Sequence, residues 1–150
     1  MSIEIQVYTK GLLHDFGLPQ YASGGAAGMD VRANAPVCLQ PKETKLIQTG
    51  LYVAIPHGYE IQVRPRSGVS LRTKLRIANA PGTIDSDYRG EVCIIAENTH
   101  STLEMHICVG ERIAQLVLCK VPQITWKIVN SKGELGETAR GSGGFGSSGK

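Results

Sequence analysis

This sequence predicts an all-β domain, built as a sandwich, a barrel or a jelly roll, and three observations carry that prediction. Apolar residues recur in short runs, several of them alternating with polar ones. The 18 glycines and 7 prolines interrupt those runs every several residues. No stretch repeats the helical apolar period, except a short turn over 68–75. With 150 residues, 41% of them hydrophobic and 5% aromatic, the chain suffices for one core and one domain.

The elements follow in order. Ile3, Ile5 and Val7 alternate with Glu4 and Gln6 as a first strand, and 12–20 reads as an irregular connection containing Pro19. The cluster Ser23-Gly24-Gly25-Ala26-Ala27-Gly28 then lets another chain or a ligand approach Asp30, or leaves Asp30 capping a turn. Val37 to Leu39, Thr44 to Thr49 and Leu51 to Ile55 read as three short strands punctuated by Pro41-Lys42 and Gly50. Tyr59 to Val63 alternates cleanly and runs into Arg64-Pro65-Arg66-Ser67-Gly68. There, two guanidinium groups and a hydroxyl suit an anion such as phosphate, or else form an exposed basic turn. Leu103, Met105, Ile107 and Val109 alternate, and Ile113 to Leu118 is an apolar strand interrupted by Gln115. An unpaired buried amide costs about 1–3 kcal/mol, so Gln115 must serve a core network or a ligand. Val121 to Val129, with the single tryptophan Trp126, reads as further β structure.

Between Leu75-Arg76-Ile77-Ala78 and the apolar run Val92 to Ala96 lies Asn79-Ala-Pro-Gly-Thr-Ile-Asp-Ser-Asp-Tyr-Arg-Gly-Glu91, which reads as a site on a hairpin. Pro81-Gly82 is a turn signal, and the reversal leaves backbone donors and acceptors to read a small planar ligand. On an extended chain Asp85 and Asp87 share one face, opposite Ser86 and Tyr88. A polar turn with a solvated Asp and a half-buried Tyr is the plainer alternative.

The net charge of +3 argues against a partner selected by bulk electrostatics, such as duplex DNA or an anionic membrane. Cys38, Cys93, Cys108 and Cys119 sit in or beside apolar runs without CxxC spacing, which predicts buried free thiols and a reducing compartment. None of His14, His57, His100 and His106 pairs with Cys or Glu at zinc spacing, so no metal held directly by the protein is expected. Neither a basic-then-apolar leader nor a membrane-length apolar run is present in the sequence, and a soluble, intracellular protein is expected. The core is expected over 1–134 and a separate tail over 135–150. That tail carries Arg140 and Phe145 among glycines, cannot bury enough apolar surface to fold alone, and suits either a linker or a lid that stacks on a base and clamps phosphate. Gly144 to Lys150 fails as a P-loop, because no Ser or Thr follows Lys150 and no helix can begin there.

Five segments in sequence, Ala27 to Ala33, Pro65 to Gly68, Asn79 to Glu91, Gly110 to Leu116 and Arg140 to Gly149, resemble the five ordered motifs of the trimeric dUTPase family. The match in order and spacing spans essentially the whole chain. Departures at Met29, Val31, Val69, Ser70 and Ser148 remove no chemical group that the family uses. The resemblance implies a jelly-roll β-barrel homotrimer that hydrolyses dUTP to dUMP and pyrophosphate, with sites at subunit junctions. It implies that Asp85 is the base acting on the water that attacks the α-phosphorus, and that Arg66, Ser67, Gly68 and Gln115 hold the triphosphate with the tail. The hairpin from Asn79 to Gly82 would read uracil, Thr83 and Ile84 would also bind substrate, and Tyr88 would pack under the deoxyribose. Phe145 would stack on the base, with Arg140, Gly146 and Ser147 also contacting substrate. Asp30 and Arg112 would support the site, and Mg²⁺ would arrive on the phosphates, bridged to Asp30 by water. The resemblance implies neither nucleic acid nor membrane as a partner, and a cytoplasmic location, or a nuclear one in a eukaryote. A dCTP deaminase or bifunctional enzyme on the same fold is the alternative, although such deaminases generally lack the glycine-rich tail. An idle nucleotide-sensing module would have lost Asp85 or the tail, and both are present.

Overall fold

The computed structural model describes residues 2–11 and 13–144. Ten strands run antiparallel: β1 (Gln6–Thr9), β2 (Met29–Arg32), β3 (Val37–Leu39), β4 (Thr44–Ala54), β5 (Tyr59–Arg64), β6 (Leu75–Ile77), β7 (Gly82–Ile84), β8 (Glu91–Asn98), β9 (Met105–Ile107) and β10 (Arg112–Lys120). Two short helices, α1 (Leu13–Phe16) and α2 (Ser67–Arg72), and a 3-10 turn at Lys132–Leu135 complete the described elements. The strands form sheets ordered β1-β4-β8-β6 and β2-β10-β5-β7, plus a β3-β9 ribbon. The all-β expectation is met, and α2 occupies the one stretch where a helical turn was expected.

Alternation builds the core. Along β5, Ile61 and Val63 point inward, and along β10 Ile113, Ala114 and Leu116 are buried. They meet Ile47, Leu51, Val53, Val92, Ile94 and Ala96 from the other sheet in one apolar cluster. Burying each such Ile, Leu or Val stabilises the fold by roughly 1.5–3 kcal/mol. Buried Asn98 is fully engaged: its amide donates to the carbonyls of Leu39, Gln40 and Leu103, and its oxygen accepts from His100 N.

Several local readings are corrected by long-range pairing. The expected strands 44–49 and 51–55 are one strand, because Gly50 sits in β4 at φ 72° where the pairing with β8 slips between Gln48 and Tyr52. A side chain at Gly50 would run into Lys10 O, so a bulge rather than a break accommodates the glycine. The connection over 12–20 contains α1, and the first strand begins only at Gln6. Residues 92–96 are not uniformly buried: Cys93 and Ile95 face the opposite way from Val92, Ile94 and Ala96. Residues 121–129 form no strand, and Ile124, Trp126 and Ile128 are 70%, 84% and 93% exposed, because no strand edge of this chain receives them. The four cysteines are free but none is buried; Cys108 is exposed and the others are half-buried. No helix among the described residues is long and apolar enough to cross a membrane.

Candidate active site

The first cluster forms where β10 lies between β2 and β5. Register places Gln115 opposite Asp30 on one side and Arg64 on the other. Asp30 Oδ1 accepts from Arg66 Nε at 2.7 Å and its Oδ2 from Arg112 Nη1 at 3.3 Å. Arg66 Nη1 also donates to Arg112 O at 3.1 Å, so one carboxylate fixes two guanidinium groups. Gln115 finds the partner it needs: Nε2 donates to Pro65 O at 2.8 Å, holding the turn that presents Arg66 and Ser67. Gly28 is required here, because a Cβ would collide with Gln115 Oε1. Ser67, Arg64, Pro65 and Gln115 line an open cavity of about 620 Å³. At Gly68 a Cβ would stand 2.6 Å from the Arg72 guanidinium.

The second cluster belongs to the segment after β6. It is not a plain hairpin: β6 and β8 do pair, but the chain between them adds β7 to the edge of β5 in the other sheet, with Val63 opposite Gly82. Asn79, Gly82, Thr83, Ile84 and Tyr88 line a cavity of about 240 Å³ together with Leu46, Val63, Glu91, Cys93 and Ile95. Gly82 is not at positive φ; its role is room, because a Cβ would stand 3.1 Å from the Asn79 amide and 3.3 Å from Val63. Tyr88 lies over Gly90 and its hydroxyl donates to Glu91 O at 3.0 Å. The Glu91 carboxylate accepts from Gly50 N at 2.7 Å and Tyr52 OH at 3.5 Å, fastening the end of the loop to β4. Burial, and after it the charge of Glu91, pushes the Cys93 thiol up to about 11.

Asp85 follows β7 and is exposed, without a hydrogen bond or ion pair from its carboxylate among the described residues. The shared face expected for Asp85 and Asp87 is not formed. Tyr88 N donates to Asp85 O at 3.2 Å and Arg89 Nη1 to the carbonyls of Ser86 and Tyr88, so the segment is a turn rather than a strand. Leu46, Val63, Glu91 and Cys93 are pocket residues that the sequence reading missed. The signal available was the alternation of β8, hidden by reading Val92 to Ala96 as a continuous apolar run.

The first cluster is divided between two cavities, Ser67 and Gln115 lining the one of about 620 Å³ and Asp30 and Arg112 another of about 460 Å³, and neither is the cavity of the second cluster. Gln62 and Arg64 line the cavity of Ser67 and Gln115, whereas Val63 between them lines that of Asn79 and Tyr88, so β5 separates the two by its own alternation. Arg140 stands apart from both: its Nε donates to Gly143 O at 2.7 Å inside turns spanning Thr138 to Gly143. The described part of the tail is thus locally turned, not featureless. Phe145, Gly146 and Ser147 lie outside the described residues.

An antiparallel two-sheet domain with a carboxylate-clamped arginine cluster and a separate small pocket, followed by a glycine-rich tail, defines a β-barrel nucleotide-binding class. The dUTPase family profile matches residues 14–149. The chain is 51% identical to the deoxyuridine 5'-triphosphate nucleotidohydrolase of Roseobacter denitrificans over 99% of this chain and 97% of that protein. It is 48% identical to the Chlamydia muridarum enzyme of the same name, over 89% of this chain and 91% of that protein. A solved variant of the Staphylococcus bacteriophage 80alpha dUTPase with dUpNHpp superposes with TM-score 0.86 at 31% identity, covering 99% of this chain and 100% of that one. A dUTPase from phage phi11 of S. aureus, described with a structural Mg(II) ion, superposes with TM-score 0.76 at 27% identity, over 86% and 98% of the two chains. The chain belongs to the dUTPase family, and its barrel is the jelly roll of that family.

Proposed function

We propose that this protein hydrolyses dUTP to dUMP and pyrophosphate, limiting uracil in DNA and supplying dUMP for dTMP synthesis. The observation that carries the reading is the family membership over nearly the whole chain, and the cavity lined by Asn79, Gly82, Thr83, Ile84 and Tyr88 suits it. The backbone of β7 and the Asn79 amide read uracil, and the Tyr88 ring excludes a 2′-hydroxyl. Arg66, Ser67, Gly68 and Gln115 bind the triphosphate, with Asp30 and Arg112 orienting Arg66. Asp85 takes the proton of the attacking water, which displaces pyrophosphate in line from the α-phosphorus. Arg140, Phe145, Gly146 and Ser147 close over the nucleotide as a lid over 135–150, outside a core of 1–134.

Mg²⁺ fits as an ion carried by the substrate. Both Asp30 oxygens already accept from arginines, and among the described residues no second carboxylate belongs to that cluster, so the donors suit a bridging water rather than a direct cage. When bound, Mg²⁺ supplies neutralisation of the triphosphate charge.

The working unit is a homotrimer. Two observations support it: Asp30 and Arg112 line a cavity other than the pyrimidine pocket of the same chain, and Ile124, Trp126 and Ile128 need a covering partner. The unit is cytoplasmic, in keeping with its bacterial relatives. Deamination on the same fold finds no support in those relatives. Product analysis with a panel of nucleoside and deoxynucleoside triphosphates tests the activity: dUMP and pyrophosphate from dUTP alone are expected, and ammonia from dCTP would overturn it. Light scattering giving a stable monomer at micromolar concentration would overturn the trimer.

A further inference from the structure

The β3-β9 ribbon is only three pairs long, and Cys38 stands directly opposite His106 in its register. Glu104, two residues before His106 and at the entry to β9, turns its carboxylate to the same place. His106 Nε2 and Glu104 Oε1 are 2.8 Å apart, and Cys38 Sγ lies 3.7 Å from Glu104 Oε2. The thiol, carboxylate and imidazole each offer one ligand atom, all within 4.8 Å of one another. Around a tetrahedral zinc ion, ligand atoms stand roughly 3.3–3.7 Å apart, given metal distances of about 2.0–2.3 Å. Small side-chain rotations therefore close the set.

Two further features hold it in place. Gln40 Nε2 donates to Glu104 Oε2 at 3.1 Å and approaches Cys38 Sγ at 3.4 Å, the kind of outer contact that orients metal ligands. Asn98, buried, binds the carbonyls of Leu39, Gln40 and Leu103, so both strands of the ribbon are anchored next to the three ligands. Lys45, the nearby cation, is occupied by Cys38 O and Glu43. The histidine and glutamate side chains are 68% and 51% exposed, which leaves the fourth position to water.

We infer that Cys38, Glu104 and His106 form a binding site for a divalent transition metal of the zinc class, separate from the nucleotide site. Thiolate and imidazole select zinc over Mg²⁺, which prefers oxygen ligands. The ion replaces the proton shared by His106 and Glu104 and the thiol proton of Cys38, and it staples β3 to β9. The inference does not depend on dUTP hydrolysis.

The test is equilibrium dialysis of chelator-stripped protein against Zn²⁺ with Mg²⁺ in large excess, alongside Co²⁺ titration followed by thiolate charge-transfer absorption. The expected result is one zinc per chain and a cobalt-thiolate band. Binding should weaken at least about 10-fold in Cys38→Ser and in His106→Ala, and remain unchanged in Cys108→Ser, whose exposed thiol is the control. Failure of the unaltered protein to take up stoichiometric zinc overturns the inference, whatever the variants do. So does zinc retained by both ligand variants, or zinc lost from Cys108→Ser.

Discussion

Asp30 and Arg66, 36 positions apart in the chain, meet at 2.7 Å between Oδ1 and Nε, and the same carboxylate receives Arg112. A single anion on β2 thereby aligns two cations contributed by the α2 turn and by β10. Asp30→Asn removes the charge and turns amide protons toward guanidinium groups. The pairs are partly exposed, so the expected loss is at the low end for charged hydrogen bonds, about 1–2 kcal/mol, read as a lowered urea midpoint. KM for dUTP should rise with it, because Arg66 loses its fixed orientation; an unchanged KM would separate the pair from substrate binding.

Asp85→Asn should keep nucleotide affinity and lower kcat about 10²–10⁴-fold, the usual contribution of a positioned general base. Asp87→Asn should turn over normally. Both carboxylates are exposed in one turn, so parallel kinetics of the two variants decide the base, and a dead Asp87 variant beside an active Asp85 variant would reverse the assignment.

Tyr88→Ala removes the ring that lies over Gly90 and borders the cavity, and should weaken discrimination against UTP more than it weakens dUTP binding. Tyr88→Phe loses only the bond to Glu91 O and should retain most of the selectivity. The measurement is the ratio of kcat/KM for the two substrates.

Deleting 140–150 should leave the core intact, since every described strand ends by Lys120. Thermal melting is expected to be unchanged while turnover falls roughly 10²-fold, the scale of a lost positioning contact. Full-rate hydrolysis by the truncated chain would make the tail a linker.

Cys93 should resist alkylation. Its thiol is pushed up to about 11, so the reactive thiolate is scarce at pH 8, first through burial and then through Glu91. Iodoacetamide followed by peptide mass spectrometry should modify exposed Cys108 first. Glu91→Gln removes one of the two causes and should speed labelling of Cys93; equal labelling of both cysteines in the unaltered protein would contradict the pocket environment.

Strand identity and chemistry were written locally. Alternation marked β5, because neighbouring residues on a pleated chain face opposite sides and one face must be apolar, and a short apolar run marked β10. The ordered motifs supplied the candidate site residues, and Gln115 announced a partner through the cost of leaving its amide unpaired. The Asp30–Arg66 contact, the placement of β7 in the sheet opposite β6 and β8, and the meeting of Cys38 with His106 across 68 positions were decided by tertiary structure alone. Register between distant strands depends on how two whole sheets pack, which no local pattern encodes. Residues 121–129 mark the same boundary: their sequence reads as a strand, but a strand exists only where an edge accepts its hydrogen bonds, and among the described residues no strand pairs with them.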